Sequence, residues 1–156
     1  MTDCEKIVEF LQKNAKSIAI AESLTGGGLG YEFAKVAGVS GVFRGGIICY
    51  QNAVKINVLG VNERILEQKS AYSFEVVDLM LGRICEVMDS DFAIATSGIA
   101  GPNGGSAEMP VGSVFIGVKS RTENSIIKKE IFSGNRLEVQ RLTIKSALRL
   151  FAKCFI

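Results

Sequence analysis

The sequence predicts an α/β fold, a three-layer α/β/α sandwich around a mixed, mostly parallel sheet, built as a single domain over residues 1–156. Short apolar runs of strand length alternate with segments of helical spacing, which favours parallel strands joined by helices. Two later runs are separated only by a polar turn, which adds an antiparallel pair. The 156 residues, 47% of them hydrophobic, supply enough apolar side chains for such a core.

The N-terminal part of the chain predicts two helices and two strands. Thr2 and Glu5 fit a capping box, and apolar residues follow at helical spacing. The apolar run that comes next is typical of a buried strand. The predicted elements are a helix near residues 3–15, a strand at 17–21, a helix at 27–36 and a strand at 45–50.

The remainder of the chain predicts further helices and three strands. Ser73 opens the longest central helix, with Glu75 in its first turn. Both prolines, Pro102 and Pro110, lie in a glycine-rich loop. The predicted elements are short helical pieces at 54–59 and 63–68, a helix from residue 73, strands at 91–96, 114–119 and 125–132, and a helix at 138–153.

The composition restricts the chemistry, because the chain contains no histidine. A Ser-His-Asp or Cys-His site is therefore excluded, and the commonest metal ligand is missing. Eighteen basic residues against sixteen acidic ones predict no nucleic-acid partner. The four cysteines form no CxxC pair, so we expect reduced thiols, no metal and no cofactor. Without a signal pattern or a bilayer-length apolar run, we expect a cytoplasmic protein with no membrane partner.

Three segments rich in hydroxyl groups or glycine follow predicted strands, at residues 22–28, 50–55 and 96–105. In open α/β sheets, ligands bind beyond the carboxyl ends of the parallel strands. The three segments are therefore expected to meet around one ligand site.

The first segment places Ser23 between a strand and the start of a helix. Free backbone N–H groups there can bind a phosphate or an oxyanion, which makes Thr25, Gly26 and Gly27 candidate binding residues. The alternative is that Ser23 or Thr25 only caps the helix while the glycines form a tight turn. The segment matches neither a Walker A loop nor a GxGxxG fingerprint.

The second segment contains Tyr50 and Lys55. A partly desolvated lysine can act as a base, and a Ser-Lys pair activates a hydroxyl without histidine. Tyr50 could relay a proton or orient the pair. The alternative is an exposed lysine beside a packing tyrosine.

The third segment offers hydroxyl and N–H groups for a carbonyl, ribose or phosphate, unless it is a plain surface loop. Its candidate binding residues are Thr96, Ser97, Gly98 and Gly101. Two arginines, Arg44 and Arg136, could each clamp a phosphate, with an ordinary surface position as the alternative.

Taken together, six stretches resemble the CinA C-terminal domain family, the nicotinamide-nucleotide amidohydrolases. They follow the order of that family and cover essentially the whole chain. The matching stretches are Ala21–Gly27, Val42–Gly46, Tyr50–Lys55, Leu59–Val61, Ser97–Pro102 with Gly104 and Gly105, and Pro110–Ser113.

The resemblance implies an enzyme that hydrolyses the carboxamide of nicotinamide mononucleotide to nicotinate mononucleotide and ammonia, in pyridine-nucleotide salvage. It also implies a three-layer fold, a small-molecule nucleotide as substrate and a homo-oligomer. Some relatives carry an additional N-terminal domain, which we do not expect in 156 residues. Two alternatives stay open: a nucleotide-binding regulatory module without turnover, and an amidase acting on a related carboxamide.

Residue by residue, the resemblance implies that Ser23 is the nucleophile and that Tyr50 and Lys55 activate it. The 96–105 loop matches the substrate-binding loop, and Arg136 matches an arginine that we assign to the phosphate.

The sequence departs from the usual family pattern at four places. Leu24 stands where the family usually has cysteine, and Ser97 stands where it often has threonine. Gln51–Val54 lacks the acidic residue often found before the lysine, and Ser70–Ser73 replaces a Gly-Ala-Val-Ser pattern. None of these departures removes a group proposed to be catalytic.

Overall fold

Five strands form one mixed sheet in the computed structural model, which describes residues 1–156. The spatial order of the strands is β2-β1-β3-β4-β5. The β1·β2 and β1·β3 pairs are parallel, and the β3·β4 and β4·β5 pairs are antiparallel, so only β4 opposes the other strands. The strands are β1 (Ile18–Glu22), β2 (Phe43–Ile48), β3 (Phe92–Gly98), β4 (Ser113–Ser120) and β5 (Ile126–Ile131).

Six α-helices cover the two faces of this sheet, which confirms the predicted three-layer sandwich. The capping box predicted at Thr2 and Glu5 is present at the first helix. None of the helices combines the length and the hydropathy that a bilayer-spanning segment needs. The helices are α1 (Asp3–Lys13), α2 (Gly28–Ala34), α3 (Asn52–Asn57), α4 (Glu63–Lys69), α5 (Phe74–Met88) and α6 (Arg136–Phe155).

The core is divided into two layers by the sheet, because successive side chains of a strand face opposite sides. In β1, Ile18 and Ile20 pack against α1, α2 and α6, whereas Ala19 and Ala21 pack against α5. The run at residues 17–21 is predicted to be a buried strand, and every residue of the observed strand β1 is buried. Large side chains on one face and small ones on the other bring α5 close to the centre of the sheet.

The second strand begins and ends two residues earlier than the predicted 45–50. Its register with β1 shifts at the start, where Ile18 pairs with Phe43 but Ala19 pairs with Gly45. Gly45 has φ of 115°, a left-handed conformation that glycine adopts without strain and that forms a bulge. Such a bulge leaves no trace in the alternation of apolar residues, so the sequence pattern could not locate it.

The strand ends determine where the chemistry can lie. Ser23 follows β1 directly, and Cys49 and Tyr50 follow β2, its parallel neighbour. Thr96 and Gly98 lie at the same end of β3. The three segments expected to meet at the carboxyl ends of parallel strands therefore share one edge of the sheet.

Replacing Phe151 with Ala is expected to lower the free energy of unfolding by about 3–5 kcal/mol. The Phe151 ring is fully buried and meets the rings of Phe10, Phe92 and Phe155, so its loss opens a cavity between α6 and the sheet. Urea unfolding followed by circular dichroism measures the change. Leu137, on the same helix but 74% exposed, is the matched control, and Leu137→Ala should stay within about 0.5 kcal/mol of the wild type. Equal losses in both variants would contradict this account of the core.

Candidate active site

Ser23 and Lys55 form a buried pair at the carboxyl end of β1. The Lys55 Nζ lies 3.2 Å from the Ser23 Oγ. Only 6% of Ser23 and 1% of Lys55 are exposed. The turn after β1 carries Ser23, and the first turns of α3 carry Lys55. The structure thus brings together the two residues that the sequence predicted as nucleophile and base.

The amine of Lys55 has three oxygen neighbours and no carboxylate partner. Besides the Ser23 Oγ, its Nζ lies 2.8 Å from the Cys49 carbonyl oxygen and 3.4 Å from that of Tyr50. A neutral amine has two N–H donors and one lone pair. If the two carbonyl groups accept the two N–H donors, the lone pair is left to accept the proton of the Ser23 hydroxyl.

Burial lowers the pKa of Lys55 below the ordinary lysine value, because the ammonium form loses its hydration. A thiolate at Cys49 would act in the opposite direction and raise the lysine pKa. Burial in turn raises the pKa of Cys49, which keeps that thiol protonated. The neutral form of Lys55 is therefore easier to reach than that of an exposed lysine.

Tyr50 contributes to the pair through its main chain rather than through its phenol. The Tyr50 hydroxyl accepts a hydrogen bond from Nη2 of Arg136. Nη1 of the same arginine donates to the Gly101 carbonyl oxygen at 2.7 Å. The phenol makes no hydrogen bond to Ser23 or Lys55, so the proton relay considered for Tyr50 has no direct contact in this structure. Tyr50 instead positions Arg136.

A cavity of about 130 Å³ opens beside this pair. Ser23, Tyr50 and Arg136 line it together with Gly98 and Gly101 of the third segment. Other lining residues are Leu24, Tyr72, Ile99, Ala100, Asn103 and Gly104. No three of the Cys, Asp and Glu side chains come together in a group that could hold a metal ion.

A larger groove of about 510 Å³ lies between α1, α2 and α6. It contains Thr25 and Gln140 but neither Ser23 nor Lys55. The smaller cavity is the better candidate for catalysis, because it is the one lined by a nucleophile beside a base.

The start of α2 is not the open anion site that the sequence predicted. The Glu22 carboxylate accepts hydrogen bonds from the backbone N–H groups of Leu29, at 2.8 Å, and Gly30, at 3.0 Å. The Gly26 N–H donates to the Ser23 carbonyl oxygen. The Glu22 carboxylate therefore takes the N–H groups of Leu29 and Gly30, so an anion predicted at Thr25, Gly26 and Gly27 has only the donors of the turn itself available.

Some backbone donors of the turn nevertheless remain. The N–H groups of Leu24, Thr25 and Gly27 donate to no other atom of the protein. Those of Leu24 and Thr25 follow Ser23 immediately in the chain. They are the candidates for stabilising an oxyanion next to Ser23.

Two hydroxyl residues predicted to bind substrate, Thr96 and Ser97, face the interior instead. The Thr96 Oγ1 lies 2.8 Å from the Thr25 Oγ1, and the Ser97 Oγ donates to the Ala71 carbonyl oxygen at 2.8 Å. Both side chains are fully buried in the central strand β3 and line no part of the cavity. Their side-chain role was predicted wrongly, whereas Gly98 and Gly101 do lie at the cavity. Between the two candidate serines, Ser23 is the one that reaches it.

The prediction that Arg44 clamps the substrate is also wrong. Arg44 is the second residue of β2, and its side chain is exposed. It shares a cleft with Lys16, Ser17 and Asp91, which precede β1 and β3. That cleft lies at the amino ends of the parallel strands, whereas Ser23 lies at their carboxyl ends.

Three residues of the site were missed in the sequence. The sequence did contain a signal for Glu22, because this acidic residue ends a strand whose other residues are all apolar. Tyr72, which lines the cavity, stands in one of the stretches that depart from the family pattern. Cys49 contributes a carbonyl oxygen, and any residue type supplies that group, so no signal existed for it.

Known proteins resemble this chain over nearly its whole length. The family described as CinA C-terminal domain matches residues 2–155. A CinA-like protein from Thermosipho melanesiensis is 41% identical over 145 residues, which cover 92% of this chain and 35% of the relative. A CinA-like protein from Prochlorococcus marinus subsp. pastoris is 40% identical over 147 residues, covering 93% and 34%. The chain thus spans about one third of the length of these relatives.

Solved structures share the whole fold. The competence damage-inducible protein A of Klebsiella pneumoniae superposes with a TM-score of 0.93 at 28% identity, covering 99% of this chain and 97% of that one. The competence/damage inducible protein CihA of Agrobacterium tumefaciens gives a TM-score of 0.93 at 31% identity, covering 98% and 96%. The match over residues 2–155 and the shared architecture show that this chain belongs to the CinA C-terminal domain family.

Proposed function

We propose that the chain is an amidohydrolase that converts nicotinamide mononucleotide to nicotinate mononucleotide and ammonia. The observation that carries this proposal is the Ser23 hydroxyl at 3.2 Å from the buried amine of Lys55, beside a cavity. Membership of the CinA family supports the choice of substrate. In this proposal the protein works without a cofactor on a free nucleotide in the cytoplasm, and as a homo-oligomer.

The reaction begins with transfer of the Ser23 proton to the neutral amine of Lys55. The Ser23 Oγ then attacks the carboxamide carbon, and the N–H groups of Leu24 and Thr25 stabilise the oxyanion. The Lys55 ammonium returns its proton to the departing nitrogen, which leaves as ammonia. A water molecule hydrolyses the acyl-enzyme, again with Lys55 as the base, and the free Ser23 hydroxyl is restored.

Arg136 is proposed to bind the phosphate of the substrate. Its two hydrogen bonds go to neutral oxygen atoms, those of Tyr50 and Gly101. No carboxylate lies within ion-pair distance of this guanidinium, so its charge is available to an anionic ligand. A guanidinium has five N–H donors, and the two bonds leave others for phosphate oxygens.

A nucleotide-binding module without turnover is supported less well by this geometry. Such a module has no use for a lysine that is 1% exposed and lacks a counter-ion. Burying an amine in this way costs free energy, and catalysis supplies a reason for it. An amidase for a related carboxamide would use the same pair, and the substrate comparison below separates it from the present proposal.

Ser23→Ala should reduce ammonia release from nicotinamide mononucleotide by roughly 10⁴-fold or more, because the attacking oxygen is removed. Ammonia is measured with the purified protein under saturating substrate. Ser146→Ala is the matched control. The Ser146 hydroxyl donates a hydrogen bond to the Glu130 carboxylate on β5, and Ser146 lines no part of the cavity. Retained turnover in Ser23→Ala would contradict the assignment of the nucleophile.

The value of kcat/KM should rise with pH through the pKa of Lys55, because only the neutral amine accepts the serine proton. Since burial lowers that pKa, the midpoint of the rise should lie below the pKa of an ordinary lysine. The pH dependence of kcat/KM measures the midpoint of this ascending limb. NMR spectra of ¹³C-labelled lysine assign the limb to Lys55 if a resonance titrates with the same midpoint and is missing from the spectrum of Lys55→Met. A limb at the ordinary lysine value would speak against a desolvated base.

Arg136→Ala should lower kcat/KM for nicotinamide mononucleotide by about 10–100-fold, the effect expected for losing a hydrogen bond to a charged group. For nicotinamide riboside, which lacks the phosphate, the same substitution should lower kcat/KM much less. Arg141, exposed on the same helix and outside the cavity, is the matched control. An equal loss with both substrates would show that Arg136 acts on the cavity wall and not on the phosphate.

A further inference from the structure

Glu22 and Lys55 are the only acidic and basic side chains in the buried interior. They do not form an ion pair with each other. A buried carboxylate is costly unless hydrogen bonds compensate for the lost water. The bonds that satisfy Glu22 therefore indicate what this residue does.

The Glu22 carboxylate is bound by three donors. Its Oε1 accepts from the Leu29 N–H at 2.8 Å and from the Thr25 hydroxyl at 2.6 Å, and its Oε2 accepts from the Gly30 N–H at 3.0 Å. The single proton of Thr25 is thus committed to Glu22. In the contact of 2.8 Å between Thr25 and Thr96, Thr96 must then be the donor. The chain of hydrogen bonds runs from the Thr96 hydroxyl through the Thr25 hydroxyl to the Glu22 side chain.

These bonds enclose the turn that carries Ser23. The Ser23 N–H donates to the Thr96 carbonyl oxygen at 3.1 Å, which ties the serine to β3. The carbonyl oxygen of Glu22 accepts from the Cys49 N–H at 2.8 Å. The Cys49 carbonyl oxygen in turn accepts from Lys55. The Ser23 turn is therefore linked to the Glu22 carboxylate through Thr96 and Thr25, whereas Lys55 is linked through Cys49 to the main chain of Glu22.

We propose that Glu22 is a positioning residue for the Ser23–Lys55 pair, whose carboxylate holds the start of α2 and the Ser23 turn in their reactive geometry. This inference rests on the proposed function. Glu22 lines no part of the cavity, and internal donors occupy both of its oxygen atoms. It therefore touches no substrate and transfers no proton. Because it forms no ion pair with Lys55, it leaves that lysine without a counter-ion.

Glu22→Gln tests the proposal, because an amide can accept one of the α2 N–H bonds but places its own N–H₂ donor against the other. We expect kcat for nicotinamide mononucleotide to fall about 10–100-fold, with KM changed less than about threefold. The ascending limb of the pH profile should not move, since Lys55 keeps its environment. Glu32→Gln is the matched control, because the Glu32 carboxylate only pairs with Lys35 at the surface of the same helix. Its kcat should equal that of the wild type.

Two results with folded Glu22→Gln would overturn the proposal. An unchanged kcat would show that Glu22 does not position the Ser23–Lys55 pair and contributes only to the stability of the fold. A shifted ascending limb would make Glu22 a participant in the titration of the site. If Glu22→Gln does not fold, Thr25→Val breaks the same chain of hydroxyl groups while Glu22 keeps its two backbone donors, Leu29 and Gly30. Thr25→Val should lower kcat in the same way, and Thr25→Ser, which keeps the hydroxyl, should lower it less than Thr25→Val does; failure of either expectation would contradict the proposal.

A fluorophosphonate probe separates this inference from the proposed substrate. The probe reacts with an activated serine, and mass spectrometry reports its attachment to Ser23. Labelling of the wild type that slows in Glu22→Gln, together with no ammonia from nicotinamide mononucleotide, would overturn the proposed function and leave the positioning role standing. A Ser23 that stays unlabelled in the wild type would overturn both.

Discussion

The hydrogen bonds of the Lys55 amine are the interaction on which the rest of the site depends. Three oxygen atoms, from Ser23, Cys49 and Tyr50, surround a side chain that is almost completely removed from water. None of them carries a formal charge. An ion pair would hold the ammonium form and end its use as a base, whereas neutral carbonyl groups bind the amine and leave its lone pair to the serine. The short helix α3 and the strand end that precedes it serve this arrangement.

The two buried charged residues are satisfied in different ways, and the sheet makes the difference possible. Glu22 ends β1 and turns toward α2, where backbone N–H groups of a helix start compensate its negative charge. Lys55 approaches the same strand end from α3 and meets only carbonyl and hydroxyl oxygens. Adjacent positions of a strand face opposite sides of a sheet, so Glu22 and Ser23 can serve separate partners although they are neighbours in sequence. A carboxylate can therefore stand next to Ser23 in the chain without forming an ion pair with Lys55.

The sequence predicted the layers of the fold and the Ser23–Lys55 pair, because both follow from periodicity and from the rule that parallel strands end at one edge. It could not predict which way a hydroxyl turns at a strand end. Thr96 and Ser97 carry the right groups at the right edge, yet β3 is central and covered on both faces, so its side chains meet protein. The position of Arg44 depends on the end of β2 at which it lies and on a register shift that no alternation pattern shows. Glu22 was overlooked because hydrogen bonding to a helix start depends on three-dimensional proximity, which its isolated acidic position only hints at.

The bulge at Gly45 has a consequence for how copies of this chain can meet. Strand β2 is one border of the sheet, and the bulge twists that border away from the straight geometry that a further strand would pair with. The other border, β5, carries the charged run Lys128–Glu130, whose hydration opposes the approach of another backbone. Both borders are therefore protected against extension of the sheet from one molecule into the next.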